Sequence, residues 1–312
     1  MSKPRRPKRP VDGILLLDKP QGITSNGAMM QVRHLFAADK AGHTGSLDPM
    51  ATGMLPICFG NATKLSGQLL ASDKTYRATI SLGSRTDTGD ADGKVIETAP
   101  VPAHDEAQLR SLLATAIGPQ QQVPPMVSAL KQDGKRLYAL AREGIEVARA
   151  PREIIIHDLQ LVAWTPSEWV IDVHCSKGTY IRVLAEDLAR QLGALAHLSG
   201  LRRHWVAPFS GPLWTLEALE DIAKAGGHEA LDACLLPLNA ALVDWTMVIV
   251  TDDQAAQLRA GQPIVGVEGA GQPAAEVAVV NRQGEVQCLA VWREEGRLWP
   301  KRWLARDESS HR

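Results

Sequence analysis

A chain of 312 residues, 45% hydrophobic and 22% charged, is long enough to bury two cores and too apolar for extended disorder. Its 34 basic and 35 acidic side chains leave a net charge of -1, which excludes a polyanion binder working through overall charge, so any nucleic-acid surface must be local. No stretch reaches membrane-spanning length. Cys58, Cys175, Cys234 and Cys288 are too scattered for a disulfide framework or a Cys/His zinc spacing, so a reducing cytoplasm is expected.

The opening MSKPRRPKRP carries Lys3, Arg5, Arg6, Lys8 and Arg9 with three prolines and no acid, which predicts a mobile basic tail over residues 1–10. Asp12 and Asp18 bracket too short an apolar run for a signal peptide. GILLLDKP then reads as a strand, followed by a helix capped near Ser25 with Met29, Val32 and Phe36 at helical spacing. GHTGSLDPMATG, with Gly42, Gly45 and Gly53, reads as an irregular and sterically permissive loop around Asp48.

Tyr76, Ala78, Ile80 and Leu82 alternate with Thr75, Arg77, Thr79 and Ser81, the pattern of a half-buried strand ending at Gly83 with Tyr76 on its apolar face. RTDTGDADG resembles a calcium loop, but Ala99 stands where the closing glutamate belongs, and calcium is rejected. Residues 119–152 read as a basic insertion carrying Lys131, Lys135, Arg136, Arg142, Arg149 and Arg152; on charge pattern alone this is the solvated face of a helical hairpin. EWVIDVHCSKGTYIRVLAEDLARQLG gives a strand, a Lys-Gly turn and a helix, with Ile181, Leu184, Leu188 and Leu192 on one face and Gly193 at its end. Past Pro237 the chain turns to Gly, Val and alternating apolar residues, predicting a small β-rich domain at 248–312 after a larger one at 11–247.

Local sequence leaves Asp48 open to two readings, a turn aspartate bonding its own backbone or a presented carboxylate. His43, Ser46 and Asp48 are the residue types of a hydrolase triad but lie too close together, and no GxSxG elbow occurs. A glycosidase would need a second acid, for which only Asp87, Asp90 and Asp92 are on offer. Phosphate-cradling GxxxxGK[ST] and GxGxxG loops are absent from the sequence.

The segment GHTGSLDPMATGMLPICFGNATKLS closely resembles the active-site segment of bacterial TruB-type tRNA pseudouridine synthases. The likeness extends to GILLLDKPQGITSN, DKTYRATISLGSRTDTGDADG, PPMVSALKQDGKRLYALAREG, and HCSKGTYIRVLAEDLA with LRR at 201–203, covering most of residues 11–210. It departs at Val127, where the family usually has tyrosine.

The resemblance implies an α+β fold: a catalytic domain on a central, mostly antiparallel mixed sheet flanked by helices, with a C-terminal PUA-like β-rich module. It implies isomerisation of the T-loop uridine, position 55 by tRNA convention, without cofactor or metal, by a monomer that takes the tRNA T-arm as partner. By the same resemblance Asp48 is the catalytic carboxylate, whether it attacks the uracil ring or C1', or removes a sugar proton. Arg182 supplies its cation, and Tyr76 stacks on the base and assists proton removal from C5. Tyr180 and Leu201 wall the uridine pocket, His43 fills the gap left by the flipped base, and Lys19 and Lys177 support the site or contact phosphate. The basic insertion and LRRH would then gather positive charge on one face for tRNA.

Overall fold

Strands that read as continuous apolar runs lie where both faces are covered, and strands that alternate lie over a single core. The structure, a computed structural model, describes residues 8–128, 130–132, 134–267, 272–293 and 296–306. β1 (Gly13–Lys19) is of the first kind: Ile14 and Leu16 enter one core cluster, Leu15 and Leu17 another. α1 (Ser25–Leu35), β2 (Ala41–His43), β3 (Thr52–Phe59) and α2 (Ser66–Leu70) separate it from β4 (Lys74–Leu82). β4 is of the second kind, with Tyr76, Ala78, Ile80 and Leu82 buried as expected.

A hairpin of β5 (Ser84–Thr86) and β6 (Val95–Thr98) leads to α3 (Glu106–Thr115) and β7 (Gly118–Gln122). Among its described residues the insertion holds a ribbon of β8 (Lys131–Gln132) and β9 (Lys135–Arg136) and one short helix, α4 (Leu137–Arg142). It is therefore not the helical hairpin that its charge pattern suggests. β10 (Arg152–Thr165), β11 (Glu168–Cys175), α5 (Ile181–Gln191), β12 (Ala196–Val206) and α6 (Leu216–Asp232) complete the larger unit. Its sheet runs β1-β3-β12-β4-β11-β10-β7 with β2 added on β3, antiparallel except for the β3–β12 pair. α3 and α5 cover one core through Leu109, Leu113, Ile181, Leu184 and Leu188. The mixed, mostly antiparallel α+β architecture is the one expected.

β13 (Met247–Ile249), α7 (Asp252–Arg259), β14 (Glu276–Val280), β15 (Val286–Arg293) and β16 (Arg297–Trp303) form the C-terminal unit, a sheet in the order β13-β14-β15-β16. β14 is buried on both faces. Val277 and Val279 join Trp292 and Leu298 in the unit's own core, while Ala278 and Val280 join Ile14, Leu16 and Met54 of the larger one. Lys64 Nζ donates to the Trp303 carbonyl at 2.9 Å, and Arg306 pairs with Asp12, so packing continues across the 247/248 boundary.

One local expectation is sharpened and two change. The cap of α1 is Thr24, whose hydroxyl accepts from Gly27 N at 3.0 Å, leaving Ser25 buried for another use. Lys3, Arg5 and Arg6 lie outside the described residues, but Arg9 does not dangle. It pairs with Asp232 at 2.5 Å and donates from Nε to the Phe36 carbonyl at 2.8 Å. α3, α6 and α7 were not foreseen, although α3 opens on a capping box of Asp105 and Gln108.

Candidate active site

Asp48 sits in irregular chain between β2 and β3, and its neighbours are fastened from three directions. Arg203 of β12 donates from Nη2 to the Gly45 carbonyl at 3.1 Å and from Nε to Met54 at 2.7 Å. Ser25 of α1 accepts from Leu47 N at 2.7 Å and lies 2.9 Å from the Leu47 carbonyl, to which it donates. Lys19 of β1 donates to the Pro49 carbonyl at 3.3 Å, and to Pro20 and Ile23 at 2.9 and 2.8 Å. Gly22 N reaches the same Pro49 carbonyl at 2.8 Å, and Ala51 N closes a turn on the Asp48 carbonyl at 3.0 Å. The glycines do not make this loop loose. Gly53 has φ 99°, and a Cβ there would meet the Arg203 carbonyl oxygen at 2.2 Å, so glycine is what lets β3 and β12 touch.

The carboxylate meets Arg182 at the head of α5, Nε to Oδ2, at 3.0 Å. The same guanidinium donates from Nη1 to the Thr88 carbonyl at 2.6 Å and from Nη2 to the Val127 carbonyl at 2.8 Å, with Asp90 at 3.6 Å. Arg182 is 4% exposed, whereas the Asp48 side chain keeps 37% of its surface open. The acid is thus backed by protein and faces outward. Burial pushes its pKa up; Arg182 and Lys19 pull it down, and Asp90 and Asp92 push it up again. Asp90 was weighed in the sequence only as a calcium or glycosidase acid. It is buried beneath the arginine, where Thr88 Oγ1 donates to it at 2.6 Å. The departure at Val127 costs nothing here, because its contact with Arg182 is made by backbone.

Tyr76, on the apolar face of β4, is 8% exposed and shares a core cluster with Leu47, Met50 and Ile181, against which Leu201 packs. Burial raises the pKa of its phenol, opposed by the Arg203 guanidinium beside it, so it stays protonated at neutral pH. Tyr180 caps α5, its backbone held by Gln122 at 2.7 and 3.1 Å, and its half-buried phenol is likewise pushed up by burial. Both phenols feel the Asp48 charge. His43 lies on β2, half-buried, with a lowered pKa caused by burial and by Arg203 and Arg136; it is neutral at pH 7. Arg136 thereby brings the basic insertion to the His43 side of the site.

The expected lysines and arginines divide. Lys19 is wholly buried, its pKa lowered to about 8 chiefly by burial, and every contact it makes is to loop carbonyl oxygens. Its ammonium is turned into the loop and reaches no solvent. Lys177 is exposed on the turn before α5, open to a phosphate. The LRRH stretch does not form a basic patch: Arg203 is 1% exposed, and Arg202 is paired with Asp18 at 2.8 Å. Arg203 was expected only as part of that patch; its signal was the Gly53 that sits against it.

Comparison with known proteins gives a consistent set of matches. Residues 33–181 match the TruB family pseudouridylate synthase N-terminal domain, and residues 182–243 match the tRNA pseudouridylate synthase B C-terminal domain. The tRNA pseudouridine synthase B of Nitrosococcus oceani is 51% identical over 266 residues, covering 85% of this chain and 86% of that protein. That of Stutzerimonas stutzeri is 47% identical, across 97% of this chain and 99% of its own length. Among solved structures, a Cbf5–Nop10–Gar1 complex shares the fold, with TM-score 0.74 and 24% identity, over 94% of this chain and 85% of that one.

Proposed function

The chain belongs to the TruB family of pseudouridylate synthases, and from that premise we propose that it isomerises uridine 55 in the T loop of tRNA to pseudouridine, with Asp48 as the catalytic carboxylate. One observation carries the assignment of the acid. Asp48 is the outward-facing carboxylate in a loop tied at Gly45, Leu47 and Pro49, with a buried guanidinium at 3.0 Å. A group fixed on both sides and still open to a ligand is what a reaction at a single nucleoside requires.

The chemistry breaks N1–C1' and forms C5–C1'; N1 gains a proton and C5 loses one, so no electrons leave the substrate. Asp48 acts on the nucleoside as an anion, and Arg182 holds that anion in place and offsets its desolvation. A T-loop uridine has to be unstacked to reach it, at a cost of a few kcal/mol. His43, at the edge of the same segment, fills the vacated stack; its lowered pKa supports this reading, since a neutral ring carries no charge into the stack. Tyr76 supplies a ring for the extruded base, and its neutral hydroxyl assists loss of the C5 proton by giving its own proton to the uracil as it takes that one; Tyr180 and Leu201 close the pocket. Arg136, Arg142 and Lys177 are exposed and take the phosphates of the T-arm. The C-terminal unit, residues 248–312, serves as a PUA-like module, and the enzyme works as a cytoplasmic monomer.

The test is to treat tRNA transcribed without modification with the pure protein and map every modified uridine. Conversion of position 55 alone is expected. Asp48→Asn should abolish it while leaving the Kd for a T-arm stem-loop within a few-fold; undiminished isomerisation by that variant would sink the assignment. Tritium release from C5-labelled uridine without free uracil separates isomerase from glycosidase.

A further inference from the structure

On the opposite side of β4 from Tyr76, three chemistry-bearing residues that the sequence keeps far apart converge. β10 carries a bulge between Ile156 and Asp158, so that His157 has no partner on β11, and such an extra residue is re-aimed out of the pleat. His174 pairs across the sheet with Asp158 and with Thr75. Asp73 immediately precedes β4 and is pinned by Ala207 N, which donates to its carbonyl at 3.0 Å. One residue from each of two adjacent strands and one from the lead-in to the third therefore converge at one place. Nε2 of His157 stands 3.2 Å from Oδ2 of Asp73, and the two imidazoles lie 4.7 Å apart, tilted at 45°.

The site established above uses none of these three. Asp73 and His157 reach solvent, with 42% and 32% of their side chains exposed, and form a pair that a surface could hold for no reason. His174 is different. Its Nε2 is buried and has no hydrogen-bond partner among the described residues, with Trp205 edge-on to its ring at 6.0 Å. A buried ring nitrogen without a partner calls for a ligand. One ligand atom from each residue falls within 4.8 Å of the others.

We propose that His157, His174 and Asp73 form a zinc site, two imidazole nitrogens and one carboxylate oxygen, on the outer face of the sheet. Two nitrogens and one oxygen suit zinc better than the hard, all-oxygen cations. Zinc–ligand bonds of about 2.0 to 2.2 Å put tetrahedral ligands roughly 3.3 Å apart, so the cluster has to contract. The solvent-reaching His157 ring can supply that movement. The fourth position opens on a groove that His174 shares with Thr75, Asp158 and His204, where water completes the tetrahedron. The ion clips β10, which leaves the basic insertion, to β11 and to the head of β4. Cys/His spacing in the sequence gives no sign of it, because the three ligands assemble only through the bulge and the sheet register.

The experiment is calorimetric titration of the metal-free full-length protein with zinc chloride at pH 7.5, paired with the absorption spectrum of the cobalt(II) form. One equivalent bound with micromolar Kd is expected, together with a cobalt ligand-field band of tetrahedral intensity and a higher thermal midpoint. His157→Ala and His174→Ala should each weaken binding by at least about tenfold, the loss that even outer-shell partners carry. His204→Ala, in the same groove but outside the cluster, should leave it unchanged. Circular dichroism of the apo variants shows that they fold. Only millimolar binding, or micromolar binding equal in His157→Ala and wild type, overturns the site.

Discussion

Arg182→Met tests whether one guanidinium does both the structural and the electrostatic work assigned to it. The side chain is 4% exposed and serves the carboxylates of Asp48 and Asp90 and the carbonyls of Thr88 and Val127. Methionine fills much of the volume and leaves all four without their cation. A charge pair at 3.0 Å in an effective dielectric near 20 is attracted by about 5 kcal/mol, an upper figure because Asp48 is 37% open and water takes up part of the loss. Asp90 has no such relief at 5% exposure. Breaking a buried pair costs roughly 3–5 kcal/mol, so a destabilisation of about 3 kcal/mol by urea unfolding is expected. The rate should fall by more than about 10²-fold, while the Kd for a T-arm stem-loop changes little. Removing Arg182 takes away the larger of the two cations that oppose burial at Asp48, so the acid limb of the rate profile should move to higher pH. Arg182→Lys keeps the charge but cannot span the two loops; its rate should fall while its acid limb stays near that of wild type. Equal losses of rate and affinity in Arg182→Met, or an unmoved acid limb, would refute the reasoning and make Arg182 a phosphate contact.

Tyr76→Phe keeps the ring and deletes only the buried hydroxyl, so single-turnover rates should drop roughly 10²-fold with Kd unchanged; an equal weakening of binding would show that the hydroxyl holds RNA. Gly53→Ala drives a Cβ to 2.2 Å from the Arg203 carbonyl at φ 99°, and a loss of roughly 3 kcal/mol or more is expected from strain and overpacking together. An alanine variant as stable as wild type would show that β3 and β12 are free to part. Lys19 is lowered from 10.5 to about 8 by burial, so between those values the folded chain binds fewer protons there than the unfolded chain. Stability from this group therefore rises with pH across that window, and Lys19→Met should remove the rising contribution; parallel wild-type and variant curves from pH 8 to 10 would contradict it.

How far the sequence could be read follows from which interactions are local. The strand of Tyr76 and the helix of Arg182 were legible because period 2 and period 3.6 are written in consecutive residues, and their burial follows that pattern. Asp48 was visible as a residue but not as a role; only the resemblance raised it above a turn aspartate. Arg203 and Asp90 illustrate what escapes. Arg203 read as one of two adjacent surface arginines, because nothing in LRRH says that one pairs with Asp18 and the other turns inward to Gly45 and Met54. Asp90 read as a metal-loop acid, since its partner lies 92 positions away on α5, 3.6 Å distant only after β4 and β11 have paired.

The same distinction corrects the loop itself. Its glycines suggested freedom, yet the chain on either side of Asp48 is held by hydrogen bonds from β12, α1 and β1, each formed by a different side chain. Two of those side chains, Arg203 and Lys19, are buried cations that satisfy themselves largely on loop carbonyls, and Arg182 does likewise with Thr88 and Val127. Burying three cations is expensive, and a carbonyl oxygen offsets only part of each cost. A loop meant only to turn would need none of them. Their expense is understandable if the loop must keep a carboxylate at one place while RNA is distorted against it, since a reaction without cofactor has little beyond position and charge to draw on. The rigidity around Asp48 is thus itself an argument that the aspartate acts.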